Sequence, residues 1–486
     1  MTYRHGVYIS EVPTSIVPPA RASAGLPVVF GTAPVNLATD PAPPNTPVLC
    51  FTYGEAVRRF GSSSDWGNYT LCEFIKSHFA LFAVAPVVLI NVLDSENAAH
   101  METVASEAAT LIGGAVTLPA AGIFLDTLTV RVGEVLCDVD VDYTAAFDAD
   151  GKVVITRIAT SEKIASDTAA LTVGYTKLKP SGVAGDDIVG GIDALTGAYT
   201  GLELVNRVFP LFRLVPGQIL APGWSTNPAV AAVMVAKASN INGHFRCIAL
   251  TDVPTDEADD YTEVAAWKND NNYTAERQVA CWPKVKLGDE QFHLSTQLAG
   301  VICKADAEND DIPFRSPSNK SLQADGAVLV DEAEISLGPD QAAYLNGQGI
   351  VTALNFIGGW KVWGNRTAAY PSVTDPKDVF IPIRRMFDWI GNTLVLSFWQ
   401  KVDFPANRRL VETVVDSANI WLNGLAARGF ILGGRVEFLP EENPETDLMD
   451  GIYRFHVYAT PPAPAREIDF IVEYDPAYLA TLFGGD

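Results

Sequence analysis

A proline-broken spacer near the end of the chain restricts its fold more than any other stretch. Pro461-Pro462-Ala463-Pro464-Ala465 cannot close a tight hairpin and favours extended polyproline geometry. A strand pattern follows over residues 467–474. There Ile468, Phe470, Val472 and Tyr474 share one face, while Asp469, Ile471 and Glu473 take the other. An apolar strand held off its own body by a stiff spacer is suited to joining the sheet edge of another molecule. The chain start has the same character: Tyr3-Arg4-His5-Gly6-Val7-Tyr8-Ile9 is a short extended run followed by Pro13, Pro18 and Pro19. Two arms are therefore expected, residues 1–24 and 461–486. Their expected subunit contacts are Tyr3, Val7, Tyr8 and Ile9 at the start, and Ile468, Phe470, Val472 and Tyr474 at the end.

Magnitudes limit what one arm can do. Ordering a residue costs about 1–2 kcal/mol of backbone freedom. Against this stand ladder hydrogen bonds at about 1 kcal/mol net and buried apolar side chains at roughly 1.5–3 kcal/mol each. For a strand of this length both sides come to about 10 kcal/mol, so a single docked arm is marginal and many docked cooperatively are not. Head-to-tail contacts of this kind generate rings or open helical filaments. The pattern points to a polymerising subunit.

Ahead of the spacer, residues 405–428 read as a helix, with Pro405 near its start and Gly429 after its last turn. Leu410, Val414, Ala418, Leu422 and Leu425 give it one apolar face. Strand-like runs at 435–439 and 452–459 follow. Upstream, the apolar runs 26–31 and 87–93 flank an expected helix at 71–84, a strand–helix–strand order that suggests a parallel α/β sheet. From about residue 95 aromatic content thins and short alternating runs appear, with a hairpin signal at Asp148-Ala149-Asp150-Gly151. The α/β pattern resumes near residue 190, with Asn227 and Pro228 marking a helix start. The expected fold is α/β: a split α/β core (25–94 and 190–365), an inserted β-rich domain (95–189), an α+β C-terminal domain (366–460) and the two extended arms.

With 34 Lys/Arg against 58 Asp/Glu, the net charge of −24 argues against wrapping nucleic acid or lying on anionic lipid. The longest apolar stretch, 79–93, is short for a bilayer and is broken by Pro86, so no direct membrane insertion is expected. Six scattered cysteines without a CxxC pair suit reduced thiols. The chain holds no GxxxxGK[ST] loop, GxSxG elbow or HExxH pair. His244, Cys247 and Asp252 are close in sequence, yet Cys247 falls in a strand run and reads as core. Two acidic groups (Asp256, Glu257, Asp259, Asp260 and Asp306, Glu308, Asp310, Asp311) lack EF-hand periodicity and read as solvated helix starts. No catalytic residue, metal or cofactor is expected. The rival class is an α/β metal-dependent enzyme.

Several segments, in order, resemble one family: HGVYISEVPT and LPVVFGTAPVN near the start, then ILAPGWS, IALTDVP and AGVICKADAENDDIPFRSPSNK. YLNGQGI, GGWKVWGNRT, Gly433-Gly434, Asn443, Gly451 and the Pro-Pro-x-Pro-Ala-x-Glu tail continue the series. Together they resemble contractile tail sheath proteins, the outer sleeve of contractile phages and related injection machines. The resemblance covers most of the chain outside the inserted domain. It implies a helical stack of sixfold rings of this chain around a tail tube protein, with baseplate and tail-terminator proteins as further partners. It also implies a virion tail assembled in the host cytoplasm, and contraction by rigid-body repacking. A baseplate component that does not polymerise is the alternative within this class. The family's C-terminal domain lines the inside of the sleeve and touches the tube. Residues 361–430 carry nine Lys/Arg against six Asp/Glu, which makes Arg384, Arg385, Arg408, Arg409 and Arg428 the tube-facing candidates.

Overall fold

Strands that are apolar on both faces must be covered on both faces, and the chain places six of them side by side. The computed structural model describes residues 20–21 and 24–483; Tyr3, Val7, Tyr8 and Ile9 lie outside the described residues. An eight-stranded sheet is built from β1 (Pro27–Gly31), β2 (Val48–Cys50), β3 (Val87–Asn91), β4 (Gln218–Leu220), β5 (Ile248–Asp252), β6 (Gln278–Cys281), β7 (Ile350–Asn355) and β8 (Trp360–Trp363). Its spatial order is β8-β7-β6-β5-β4-β1-β3-β2. The six inner strands are parallel, with Val28 opposite Ile219 and Val88. The outer strands β2 and β8 run antiparallel to their neighbours. β1, β3 and β5 are buried at every position.

Helices pack onto this sheet where sequence signals place them. Pro228–Ser239 begins behind Asn227, whose side chain accepts a hydrogen bond from Ala229 N. Leu294–Ala307 is buried almost all round. Its Gly300 is needed for space: a Cβ there would sit 2.3 Å from the ring of Phe82. The helix expected over 71–84 is α-helical only over Thr70–Ile75 and continues as a π-helix over Lys76–Leu81.

Between β3 and β4, seven strands of residues 101–178 form a three-stranded and a four-stranded sheet, each paired within itself and neither joined to the large sheet. They enclose their own apolar cluster, including Leu118, Ile123, Val130, Val153, Ile155 and Val173. Asp148 closes the expected hairpin by accepting from Asp150 N and Lys152 N.

The C-terminal part holds two long helices, Ile381–Phe398 and Arg408–Ala427, and a two-stranded ribbon of β9 (Gly433–Glu437) and β10 (His456–Thr460). Met386, Ile390, Ala418, Leu422, Leu425 and Val436 form its core. The second helix starts at Arg408 and not at Pro405, because Asn407 supplies the cap, accepting from Leu410 N at 3.0 Å. Residues 467–474, expected as a strand, form no regular element and pair with no other described segment.

Candidate assembly surface

The ribbon has two margins, and the chain treats them differently. Asn419, on the helix Arg408–Ala427, donates Nδ2–H to Val436 O at 3.0 Å and accepts from Val436 N at 2.8 Å through Oδ1. One amide side chain thus occupies both outward backbone groups of Val436, as a neighbouring strand would. In the antiparallel register Val436 faces Val457 and Gly434 faces Ala459. Since Val436 bonds outward, Val457 and Ala459 direct their N–H and C=O away from β9 as well, by the alternation of antiparallel ladders. The β10 margin is therefore the one that presents backbone groups for pairing.

Beside the ribbon runs an apolar groove of about 650 Å³, floored by Val436 and Val457 and walled by Val395, Phe398, Val411 and Val414. The chain's own candidate visitor is not in it. Ile468, Phe470, Val472 and Tyr474 are 71%, 84%, 91% and 75% exposed, an apolar strip that nothing in the isolated subunit covers. Pro461 is buried at the end of β10, so the spacer leaves the body from a fixed point.

The five tube-facing candidates separate into two groups, and for two of them the expectation is corrected. Arg384 and Arg385 are buried, 6% and 5% exposed. Arg384 pairs with Asp378 and Asp388, each at 2.9 Å. Asp388 also takes Arg277 Nη2 at 2.9 Å. Arg385 grips Asp306 with both terminal nitrogens, Nη1 at 3.0 Å. These cations tie the helix Ile381–Phe398 to the α/β body and leave no charge to offer a partner. The same pairing corrects the reading of Asp306 as a solvated acid: it is 1% exposed. Arg408, Arg409 and Arg428 are exposed. Arg408 bonds Glu412 one turn on, and Arg428 lies over the Phe430 ring at 4.8 Å.

Sequence reasoning missed a buried polar cluster. At the carboxyl end of β5, Asp252 accepts from Ser225 Oγ at 3.2 Å and from Ser295 N at 3.0 Å. Nearby, His293 Nδ1 meets Glu73 Oε2 at 2.8 Å, and His293 N donates to Glu73 Oε1. Burial alone pushes Glu73 up, but the His293 charge and hydrogen bonds outweigh it and hold the carboxyl below its ordinary value. Burial likewise pulls His293 down, and Glu73 more than reverses this, so the imidazole is raised. These groups bind helix to sheet. His244 and Cys247 do not join Asp252: His244 packs edge-on against Trp399, and burial pushes the Cys247 thiol well above its ordinary range. Among the described residues no group of three or more His, Cys, Asp or Glu could hold a metal, and no helix is long and apolar enough to cross a membrane.

No protein-family model matches the chain. The tail sheath protein of Burkholderia phage BcepMu is 28% identical to it over 501 aligned residues, covering 100% of this chain and 99% of that protein. The tail sheath protein of Escherichia phage P2 is 24% identical over 303 residues, covering 61% and 72%. Among solved structures, a chain of the anti-feeding prophage baseplate aligns with a TM-score of 0.58 at 15% identity, covering 98% of this chain and 100% of that one. A chain of an extracellular contractile injection system's sheath complex in the contracted state aligns with a TM-score of 0.57 at 14% identity, covering 98% and 99%. These likenesses establish the mixed α/β fold.

Proposed function

We propose that this chain, whose homologues in phages are tail sheath proteins, is a structural subunit of a contractile tail sheath. In this reading it polymerises helically around an inner tail tube, each copy lending its C-terminal strand to the next. The observation that carries the reading is a mismatch within one molecule: an exposed apolar strip at 468–474, and an open ribbon margin with an apolar groove beside it. Within the isolated subunit neither covers the other. The N-terminal arm residues Tyr3, Val7, Tyr8 and Ile9 serve a second such contact. The tube protein lies inside the sleeve, facing Arg408, Arg409 and Arg428; baseplate and terminator proteins close its ends. The particle is a virion tail, or a related injector, put together in the host cytoplasm.

The drive for contraction is the free-energy difference between two packings, released from an extended and kinetically trapped lattice. Subunits shift outward and rotate as rigid bodies while the arm spacers keep neighbours joined. The buried Arg277–Asp388–Arg384 and Arg385–Asp306 pairs support rigid-body motion, because they join the core and the C-terminal helices into one unit.

Removing the residues after Pro461 tests this directly. The truncated chain should keep its circular dichroism spectrum and stay monomeric, while the full chain forms long tubes in negative-stain micrographs. Long tubes from the truncated chain overturn the reading. A full chain that never polymerises favours a baseplate role instead. For the inner surface, Arg408→Glu with Arg409→Glu should weaken sheath binding to the tube in co-sedimentation, leaving the subunit's melting temperature unchanged.

A further inference from the structure

In a chain of net charge −24, one concavity has only cations among its charged lining residues. Arg315, Lys320, Arg366 and Arg466 surround a cavity of about 580 Å³ whose walls include no Asp or Glu. Serines and asparagines, Ser318, Asn319 and Asn365 among them, share the rest of the lining with Pro339, Ala343 and Trp363. Arg366 is held rigidly: its guanidinium lies 4.4 Å from the Tyr370 ring centre and 3.9 Å from that of Phe380. Burial, and secondarily the nearby Arg466, hold its pKa below the usual arginine range, so the site gains from an anion. The spacer itself forms part of the wall through Pro464, Ala465 and Arg466. This cavity therefore opens a few residues beyond the end of β10.

Resting on the strand-exchange reading above, we propose that this cavity receives the carboxylates of a second copy's C-terminal arm. In the alternation of residues 467–475, Glu467, Asp469, Glu473 and Asp475 share the face opposite the apolar strip, and all four are exposed. A visiting strand of residues 467–474 is roughly 26 Å long, against roughly 17 Å for the five residues of β10. With its apolar face seated on the ribbon, it overhangs β10, and an acidic end reaches the basic cavity. Charge complementarity would then fix the register of a strand whose hydrophobic contacts alone tolerate slippage.

A charge swap tests this. Arg315→Glu with Lys320→Glu should cut sedimentable polymer about tenfold or more at low salt, as should Glu467, Asp469, Glu473 and Asp475 all changed to Lys. Both sets combined in one chain should restore polymer to near the original yield. Circular dichroism and gel filtration check that each variant remains a folded monomer; if the cavity variant does not, Arg466→Glu replaces it. Variants that assemble like the original chain, or a combined variant that stays as defective as either parent, overturn the proposal. If the chain truncated after Pro461 fails to assemble while the charge variants assemble normally, only this inference falls. If the truncated chain assembles, the strand-exchange reading falls too.

Discussion

Glu73 and His293 show how one charge pair can shape the molecule's pH response. His293 is raised above its ordinary 6.5, so its contribution is complete below that pH and is lost as pH rises through the raised value. Glu73 is lowered below its ordinary 4.5, so its contribution is complete above that pH and is lost as pH falls through the lowered value. The pair stabilises most between pH 4.5 and 6.5. His293→Gln should cost roughly 3–5 kcal/mol there. Thermal melts of variant and original should converge as the buffer is made alkaline; a constant difference across pH would show that the loss is one of packing. Asp388→Ala, which takes one of two carboxylate partners from each of Arg277 and Arg384 and leaves them Glu276 and Asp378, should cost about 1–3 kcal/mol in urea unfolding. Neither cluster was legible in the sequence. Arginine identity alone suggests an exposed cation, and the acids that neutralise Arg384 and Arg385 come partly from other elements, as Asp306 does on Leu294–Ala307. Glu73 and His293 are 220 residues apart, and nothing local marks them as partners.

At the scale of elements, local signals were sufficient where the element satisfies itself. The three-and-four spacing of Leu410, Val414, Ala418, Leu422 and Leu425 marked a helix; all but Leu410 are buried, and Ala418, Leu422 and Leu425 share a cluster with Ile390 and Val436. Asn227-Pro228 marked a helix start for the same reason. Alternation over 467–474 marked a strand without saying what it pairs with, since the ladder needs a second edge and the chain's own edges are elsewhere. The role of Asn419 was not legible, because it needs the ribbon in place. Asn419→Ala should leave Val436 N–H and C=O unpaired and cost about 1–3 kcal/mol in chemical unfolding. Val457→Pro should remove an outward N–H from β10 and abolish polymer in electron micrographs. Because Val457 bonds outward rather than to β9, the monomer's ribbon ladder should stay intact.

For the whole molecule, the legible part was the alternation of apolar runs with helical stretches, which required a covered parallel sheet. The interruption between β3 and β4 was legible as a change of composition, and its strands do close on themselves. Sequence could not show which of the two ribbon margins is open. That asymmetry bears on growth. In the strand exchange proposed above, a ribbon capped at Val436 by Asn419 takes a newcomer on its other flank. On that reading each copy has a donor end and an acceptor end, as a link in a chain has a hook and an eye. A filament of such links has a direction, and a protein offering a hook without an eye would end it.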